Sequence, residues 1–257
     1  MENANPEKIA QSLVKFLRET FKKTGLSYAV IGLSGGVDSS LSLTLTVRAL
    51  GQNKVFPILL PYGKLNDQGV TDALEVIEAL NIPKEHIIKF NIKTPVDEIA
   101  KIDPRIDMIR KGNIMARTRM TLLFDQAKKR KALVVGTENK SECLLGYFTR
   151  FGDEASDIEP LHNLYKTQVY QLAKFMNLPK SVLTKQPTAG LWENQTDENE
   201  FGFTYKDADK ILYCYFDQKL SEEQIIAKGL TRTIVEKVLQ FARKNNFKHN
   251  LPFVTGR

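Results

Sequence analysis

Four short apolar segments alternate with helix-like stretches through the first half of the chain, and this alternation constrains the fold more than any other feature. The segments are rich in β-branched residues and cover Tyr28–Leu33, Val55–Leu60, Ile87–Ile92 and Ala132–Gly136. Strands separated by helices of 10 to 15 residues, as a rough guide, are typical of βαβ units with parallel strands. The pattern predicts an α/β fold with a Rossmann-like, doubly wound parallel sheet.

Apolar periodicity predicts helices around that sheet and extra helices after it. They cover residues 6–23, 38–50, 67–80, 112–130, 166–176, 207–216, 221–227 and 231–245. Residues 137–165 and 184–206 have little periodicity and are rich in polar residues, Gly and Pro, so we expect functional loops there, the second as a lid. We expect the 257 residues to form a single domain with extra C-terminal helices.

A glycine-rich loop, SGGVDSS at residues 34–40, joins the first strand to the next helix. Adjacent glycines allow a tight turn, and the N–H groups at the start of a helix attract phosphate. Asp38 is an acid in this phosphate-binding setting, which indicates a divalent cation shared with the phosphates. The loop contains neither a Walker A lysine nor a GxGxxG pattern. The structural alternative is a glycine-rich turn with a Ser/Asp helix cap.

Further polar residues follow the fourth strand. Thr137, Glu142, Asp153 and Asp157 are spaced along one segment, where acids are able to gather around the same Mg²⁺ as Asp38. Each of these carboxylates taken alone is more typical of a surface group than of a metal ligand. Lys166 is predicted to open a helix, where a cation opposes the helix dipole unless an anion lies nearby.

Composition excludes several classes of protein. The chain has no apolar run of membrane-spanning length and no signal-peptide pattern, so we expect a cytoplasmic protein that does not bind membranes. Two cysteines and three scattered histidines predict neither a disulfide framework nor a zinc site. The net charge of +7 permits nucleic-acid binding, but the basic residues form no stripe interleaved with aromatics, so we expect no nucleic-acid partner.

Seven segments together resemble one enzyme family. They are SGGVDSS, NIMARTRM, GTENKSE, GYFTRFGD, LYKTQV, KQPTAGLW and QTDENEFG, and they occur in the order seen in NAD synthetases. SGGVDSS by itself resembles the loop of the ATP pyrophosphatase (PP-loop) superfamily, whose fold is that of the adenine nucleotide alpha hydrolases. Along nearly its whole length the chain is similar to the ammonia-dependent form of NAD synthetase.

The resemblance implies an activity and a set of site residues. The activity is the ATP- and Mg²⁺-dependent amidation of deamido-NAD by ammonia through an acyl-adenylate, which gives NAD, AMP and pyrophosphate. Asp38 and Lys166 would be catalytic. ATP would contact Gly32, Leu33, Ser34, Gly35, Gly36, Val37, Asp38, Ser39, Thr137, Lys166 and Thr188. Deamido-NAD would contact Arg117, Arg150, Asp157 and Lys248, and Mg²⁺ would be held by Asp38, Glu142 and Asp153.

Three positions depart from the family pattern. Arg150 stands where a lysine is more common, and the run from Phe247 to Asn250 is less basic than in many relatives. The segment after Pro61-Tyr62-Gly63 is less acidic than is usual, which leaves the adenosine-side contacts unassigned.

The resemblance also implies a homodimer with the substrate site near its interface. The apolar faces of the first helix (Ile9, Leu13, Phe16, Leu17) and of the last (Ile234, Val235, Val238, Leu239) are candidates for that interface, the alternative being that each packs on its own sheet. We expect free ammonia as the nitrogen donor, because a chain of this length has no room for an amidotransferase domain as well. Two other classes remain open: another PP-loop enzyme, such as a tRNA-thiolating or GMP-synthesising one, and a non-enzymatic nucleotide- or nucleic-acid-binding module, which the net charge of +7 allows.

Overall fold

The structure is a computed structural model that describes residues 5–249. Its first half alternates strands and helices: α1 (Pro6–Thr24), β1 (Tyr28–Gly32), α2 (Val37–Leu50), β2 (Val55–Leu59), α3 (Asp67–Ala79), β3 (Ile88–Lys89), α4 (Lys93–Ala100), α5 (Met108–Arg130) and β4 (Ala132–Val134). The second half is helical: α6 (Lys140–Leu145), α7 (Lys166–Phe175), α8 (Lys180–Thr184), α9 (Asp197–Phe201), α10 (Tyr205–Leu212), α11 (Glu222–Ala227) and α12 (Arg232–Asn245).

Within residues 5–249 the four strands form one parallel sheet in the order β3-β2-β1-β4. The chain leaves β1 toward β2 on one side and later returns to β4 on the other, so the strand order reverses at β1. Ligands of such sheets bind at the carboxyl ends of the strands on either side of this reversal. The predicted α/β class and parallel sheet are confirmed.

Helices cover both faces of the sheet. Successive residues of β1 point to opposite faces, and both sets of side chains are buried. Ala29 and Ile31 lie in the apolar cluster built with α1, α2 and α7, whereas Val30 lies in the cluster on the opposite face with Met115 and Ala127 of α5. Complete burial of a residue such as Val30 contributes about 2 kcal/mol. Residues that alternate between two buried faces explain why this strand is apolar along most of its length.

A third apolar cluster joins the extra C-terminal helices. It contains Phe201, Tyr205 and Leu212 together with Val235, Val238 and Leu239 of α12. In α1, Leu17 is buried and Ile9 and Leu13 pack against the first cluster. The suggestion that these two helix faces supply a dimer interface is therefore wrong for most of their residues, because the faces are already covered by their own chain; Phe16 remains 43% exposed.

The predicted boundaries differ from the observed ones where long-range contacts decide. The strand expected over Ile87–Ile92 is limited to Ile88–Lys89, because this edge strand pairs only with β2. Helix α4 was not predicted, and α5 begins four residues before the expected start. The two segments predicted as loops contain the short helices α6 and α9, each of which begins after a capping Asn or Thr side chain.

None of the helices in the described part of the chain has the length and apolar character needed to cross a membrane.

Candidate active site

The loop after β1 has a backbone that only glycine permits at one position. Gly35 has φ +75°, and a Cβ atom there would lie 2.1 Å from the carbonyl oxygen of Gly69 in α3. A Cβ on Gly69 would in turn lie 2.6 Å from the Ser34 carbonyl oxygen. The loop is thus pressed against the first turn of α3 by two glycines that face each other, which keeps its path fixed at the carboxyl end of β1.

Two serines hold the inside of this loop together. The Ser34 N–H donates to Ser39 Oγ at 3.2 Å, and the two hydroxyl oxygens lie 3.0 Å apart. The Gly36 N–H donates to Ser34 Oγ at 3.2 Å. Gly36 is the N-cap of α2 and supplies no side-chain acceptor, so the N–H groups at the start of α2 are available to a ligand. An anion is the ligand that such a helix start favours.

A buried ammonium joins two carboxylates beside the loop. Lys166 Nζ lies 2.6 Å from Asp38 Oδ2 and 2.9 Å from Glu142 Oε1, and only 4% of its side chain is exposed. Lys166 is the first residue of α7, so the anions expected around a cation at this unfavourable position are present. Asp197, which is 3% exposed and lines the same cavity, adds a third carboxylate.

The titration of the cluster follows from its burial. Burial raises the pKa of Glu142 to about 7, although the Lys166 ammonium opposes the shift. Burial lowers the pKa of Lys166, but the charges of Asp38 and Glu142 outweigh it and raise that pKa well above its ordinary value. The lysine is therefore charged at neutral pH, and the cluster contains three carboxyl groups, those of Asp38, Glu142 and Asp197, for one ammonium group.

Neighbouring hydrogen bonds fix where these side chains lie. Asn139 caps α6 by accepting the Glu142 N–H at 3.0 Å, and its amide nitrogen donates to Asp38 Oδ1 at 2.8 Å. On the far side, the fully buried Asp209 accepts the Ser141 hydroxyl at 2.5 Å and the Thr167 N–H at 2.8 Å. These bonds tie the first turns of α6 and α7 to α10, so Glu142 and Lys166 are held on rigid backbone.

The donor set of this cluster fits a hard divalent cation. Asp38 and Glu142 offer carboxylate oxygens, the ligands that Mg²⁺ prefers, and no sulfur or imidazole of residues 5–249 is in hydrogen-bond contact with them. The excess of carboxylates over ammonium groups also favours an added cation. Asp153 lines the same cavity, but its carboxylate accepts a hydrogen bond from the Thr149 N–H at 3.0 Å rather than from a member of the cluster.

A cavity of about 840 Å³ opens over the loop and the cluster. Roughly 300–1,000 Å³ is usual for ligand pockets, so a nucleotide fits. Most residues of the predicted site line it: Gly32, Leu33, Ser34, Gly36, Val37, Asp38, Ser39, Thr137, Glu142, Asp153, Lys166, Thr188 and Lys248.

Four predicted residues lie outside this lining: Gly35, Arg117, Arg150 and Asp157. Arg117 is exposed, and its Nε donates to the Arg150 carbonyl at 3.2 Å. Asp157 is also exposed and accepts the Val134 N–H at 2.8 Å. Lys248 does line the cavity and donates to the carbonyls of Gly146 and Phe148 at 2.7 and 2.9 Å. Within one chain, the residues expected to bind deamido-NAD are therefore divided between the cavity and the surface.

Several cavity residues had no predicted role. Arg119 lines the cavity and donates to the Leu60 carbonyl at 3.1 Å, whereas Arg117, two positions earlier on α5, does not line it. Residues two positions apart on a helix point about 200° apart, so the sequence predicts that Arg117 and Arg119 face different ways. Which of them faces the cavity follows only once the inner face of α5 is known. Lys185 pairs with the buried Asp72 at 2.8 Å, and no local signal predicts a partner that far away.

The segment predicted as a lid forms one wall of the cavity. Trp192 and its neighbours from Lys185 to Gln195 line it. Asn66 of the loop before α3 donates to the Gly190 carbonyl at 2.9 Å, which joins this wall to the opposite side. Trp192 is half-buried and contributes to this wall. Asn250, in the divergent C-terminal run, lies outside the described residues.

Comparison with known proteins agrees with this arrangement. The model of the NAD synthase family matches residues 9–252. The NH₃-dependent NAD⁺ synthetase of Pyrococcus furiosus is 43% identical over 254 residues, which are 98% of this chain and 95% of that protein. The enzyme of the same name from Fusobacterium nucleatum is 40% identical over 250 residues, or 97% and 96% of the two chains.

Solved structures extend the likeness to the fold. The NMN synthetase of Francisella tularensis has a TM-score of 0.86 at 34% identity, covering 99% of this chain and 100% of that one. The NH₃-dependent NAD synthetase of Campylobacter jejuni, in complex with the nitrate ion, has a TM-score of 0.83 at 31% identity, covering 98% and 100%. Because sequence and fold agree over nearly the full length, the chain belongs to the NAD synthase family of carbon–nitrogen ligases.

Proposed function

We propose that this protein is an ammonia-dependent NAD synthetase, which converts deamido-NAD, ATP and ammonia into NAD, AMP and pyrophosphate. The observation that carries the proposal is the joint position of the SGGVDSS loop and the Asp38–Lys166–Glu142 cluster in one cavity at the carboxyl end of β1. Relatives at 40% and 43% identity bear the name of this activity.

The loop and the cluster suit the adenylation step. The carboxylate oxygen of the nicotinate ring attacks the α-phosphorus of ATP, the bond from that phosphorus to the bridging oxygen breaks, and pyrophosphate leaves. The N–H groups at the start of α2 and the Ser34 and Ser39 hydroxyls bind phosphate oxygens. The Lys166 ammonium neutralises the charge that develops on them.

Asp38 and Glu142 are the residues that would hold Mg²⁺, and Asp153 is a third candidate. Bound there, Mg²⁺ supplies further charge neutralisation at the phosphates. The same two carboxylates orient Lys166, so a single cluster positions the ammonium and binds the cation.

The amidation step needs a dry site and a free nucleophile. Ammonia attacks the acyl carbon of the adenylate, AMP leaves, and the nitrogen loses a proton as the amide forms. The wall from Lys185 to Gln195 limits access of water to the activated acyl group. No covalent enzyme intermediate is required, because positioning and charge neutralisation suffice for both steps.

A second substrate is favoured by one specific observation. The Francisella tularensis structure of TM-score 0.86 is that of an NMN synthetase, so the mononucleotide that carries the same nicotinate carboxylate is an alternative acceptor. The chemistry of the site is the same for both acceptors. They differ in whether an adenosine phosphate must also be bound, and Arg117, Arg150 and Asp157 outside the cavity are the residues available for it.

The test is an incubation with ATP, Mg²⁺ and either deamido-NAD or nicotinate mononucleotide, with ammonium or ammonia-free glutamine as nitrogen donor. We expect equal amounts of NAD, AMP and pyrophosphate with deamido-NAD and ammonium, and no product with glutamine. Stoichiometric ADP would exclude the adenylation mechanism. A higher kcat/KM for the mononucleotide would assign the second substrate, and equal activity with glutamine would exclude ammonia as the required donor.

A further inference from the structure

Three side chains able to bind a metal lie together beside, but separate from, the candidate active site. Glu138 precedes α6, Cys143 lies on it, and His162 lies in the segment before α7. One ligand atom from each lies within 4.8 Å of the other two. Cys143 directly follows Glu142, but adjacent residues of a helix point about 100° apart, so the thiol and the Glu142 carboxylate face different surroundings.

Glu138 has a polar atom that the protein leaves unsatisfied. Its side chain is only 10% exposed, and its Oε1 is buried with no hydrogen-bond partner among residues 5–249. Its other oxygen, Oε2, lies 3.9 Å from His162 Nδ1, which is too far for a hydrogen bond. A buried carboxylate oxygen without a partner is costly and uncommon, so this atom calls for a partner that the protein itself does not supply.

The three donors are those of a borderline transition metal. Thiolate, imidazole and carboxylate together are typical zinc ligands, whereas Mg²⁺ prefers oxygen alone. Bonds of about 2.0–2.3 Å in tetrahedral geometry separate ligand atoms by roughly 3.5 Å. The ligand atoms, which lie within 4.8 Å of one another, therefore reach bonding positions around one ion after a small side-chain movement. The His162 side chain is 49% exposed and is free to make this movement.

We propose that Glu138, Cys143 and His162 form a binding site for one Zn²⁺-class metal ion, distinct from the Mg²⁺ site predicted at Asp38 and Glu142. Three protein ligands leave a fourth position for water or a small ligand. The bound ion joins α6 to the segment that leads into α7, and these two helices carry Glu142 and Lys166. The proposal does not depend on the substrate assigned above.

The experiment uses Co²⁺ as a spectroscopic probe of the full chain. Excess Mg²⁺ is present to occupy the Mg²⁺ site predicted at Asp38 and Glu142. We expect one Co²⁺ per chain and a near-ultraviolet charge-transfer band from a thiolate–cobalt bond. We expect Cys143→Ser to abolish the band, and His162→Ala to weaken Co²⁺ binding at least about tenfold, since loss of even an outer-shell partner costs that much.

Matched variants decide where the ion binds. Cys214→Ser removes the other cysteine, which is buried in the C-terminal apolar cluster, and Glu142→Gln removes the neighbouring carboxylate; the band should persist in both. Zn²⁺ should raise the Tm of the wild type but not that of Cys143→Ser or His162→Ala. Absence of the band in the wild type, its persistence in Cys143→Ser, or its loss in Cys214→Ser would each overturn the proposal. If Cys143→Ser fails to fold, His162→Ala decides the same question, because the His162 side chain is half-exposed.

Discussion

At the scale of single residues, Lys166 has the most unusual environment of the candidate site. Its ammonium is almost completely buried and is held by two carboxylates that come from different elements, Asp38 from α2 and Glu142 from α6. Charges removed from water are stable only when they are paired and hydrogen-bonded, which is the case here. The three residues therefore form one electrostatic unit, and a change in one alters the other two.

The first prediction concerns the two carboxylates of this unit. Asp38→Asn and Glu142→Gln should each lower kcat by about 10²–10³-fold, because each removes a charge that positions Lys166 and a ligand for Mg²⁺. Steady-state rates over a range of Mg²⁺ concentrations, with circular dichroism as a check of folding, measure the effect. Asp125→Asn, on the exposed side of α5, is the control and should leave the rate unchanged.

Asp153 is tested in the same experiment. Its carboxylate accepts the Thr149 N–H, so a role in local loop structure competes with a role in metal binding. If Asp153 is a ligand, Asp153→Asn raises the Mg²⁺ concentration needed for half-maximal rate. Near-wild-type turnover of Asp38→Asn or Glu142→Gln at limiting Mg²⁺ would show that the carboxylate concerned is not a ligand.

At the scale of elements, the loop between β1 and α2 depends on its contact with α3. Gly35→Ala should lower the free energy of unfolding by about 3 kcal/mol, since it adds a left-handed backbone penalty and a clash with the Gly69 carbonyl. Affinity for ATP should fall with it. Urea unfolding and ATP titration measure the two effects.

Gly25→Ala is a matched control for this change. Gly25 has φ +71°, close to the +75° of Gly35, but a Cβ atom there would meet nothing within 4 Å. Gly25→Ala should lower the free energy of unfolding by only about 1 kcal/mol, which is the backbone penalty alone. Equal losses in the two variants would mean that the contact between the loop and α3 contributes nothing to stability.

A second prediction at this scale concerns α4, which no sequence pattern indicated. Burial raises the pKa of Asp97 on this helix, but hydrogen bonds from Lys93, Tyr62 and Lys111 outweigh it and hold that pKa well below its ordinary value of 3.8. Because the folded-state pKa is lowered, this carboxylate contributes stability above pH 3.8, and the contribution is lost as the pH falls toward the folded-state pKa.

The stability difference between wild type and Asp97→Asn should therefore depend on pH. We expect about 1 kcal/mol at pH 6, decreasing steadily below about pH 4, as measured by urea unfolding across that range. Asp125→Asn, at an exposed position of α5, is the control substitution and is measured over the same range. A difference that stays constant from pH 6 to pH 2 would attribute the effect of the substitution to something other than the charge.

At the scale of the whole molecule, the distribution of the predicted substrate residues bears on assembly. Lys248 lines the cavity, whereas Arg117, Arg150 and Asp157 lie outside it. The apolar faces of α1 and α12 are largely used within the chain, but Ile102, Met108 and Ile109 near the start of α5 are 64% to 86% exposed. We therefore propose that a second copy of the chain brings these outer residues to a site.

We accordingly predict a homodimer with shared sites, for which light scattering at micromolar protein should give about twice 29.2 kDa. Co-expression of Asp38→Asn with Arg117→Ala tests whether the sites are shared. If they are, about a quarter of wild-type activity returns, because half of randomly formed dimers are heterodimers with one intact site. A fully active monomer would refute both the dimer and the shared site.

The sequence by itself determined the approximate positions of the four strands, the loop after β1 and the residue that opens α7. Apolar alternation, paired glycines and the chemistry of helix starts are local signals, so they can be recognised in the sequence without knowledge of distant contacts. They predicted the parallel sheet, the position of SGGVDSS at the end of β1 and the need for anions around Lys166. The resemblance of seven ordered segments then indicated the family, which the comparisons confirm.

Only the tertiary structure decided which residues meet. Lys166 and Asp38 are 128 positions apart, and nothing local predicts that Lys166 lies between Asp38 and Glu142. The inner face of α5 was set by packing on the sheet, so Arg119 lines the cavity and Arg117 does not. The cysteines and histidines that looked scattered include Cys143 and His162, which the fold brings together with Glu138. Such groupings depend on long-range packing, which the periodicity of one segment does not encode.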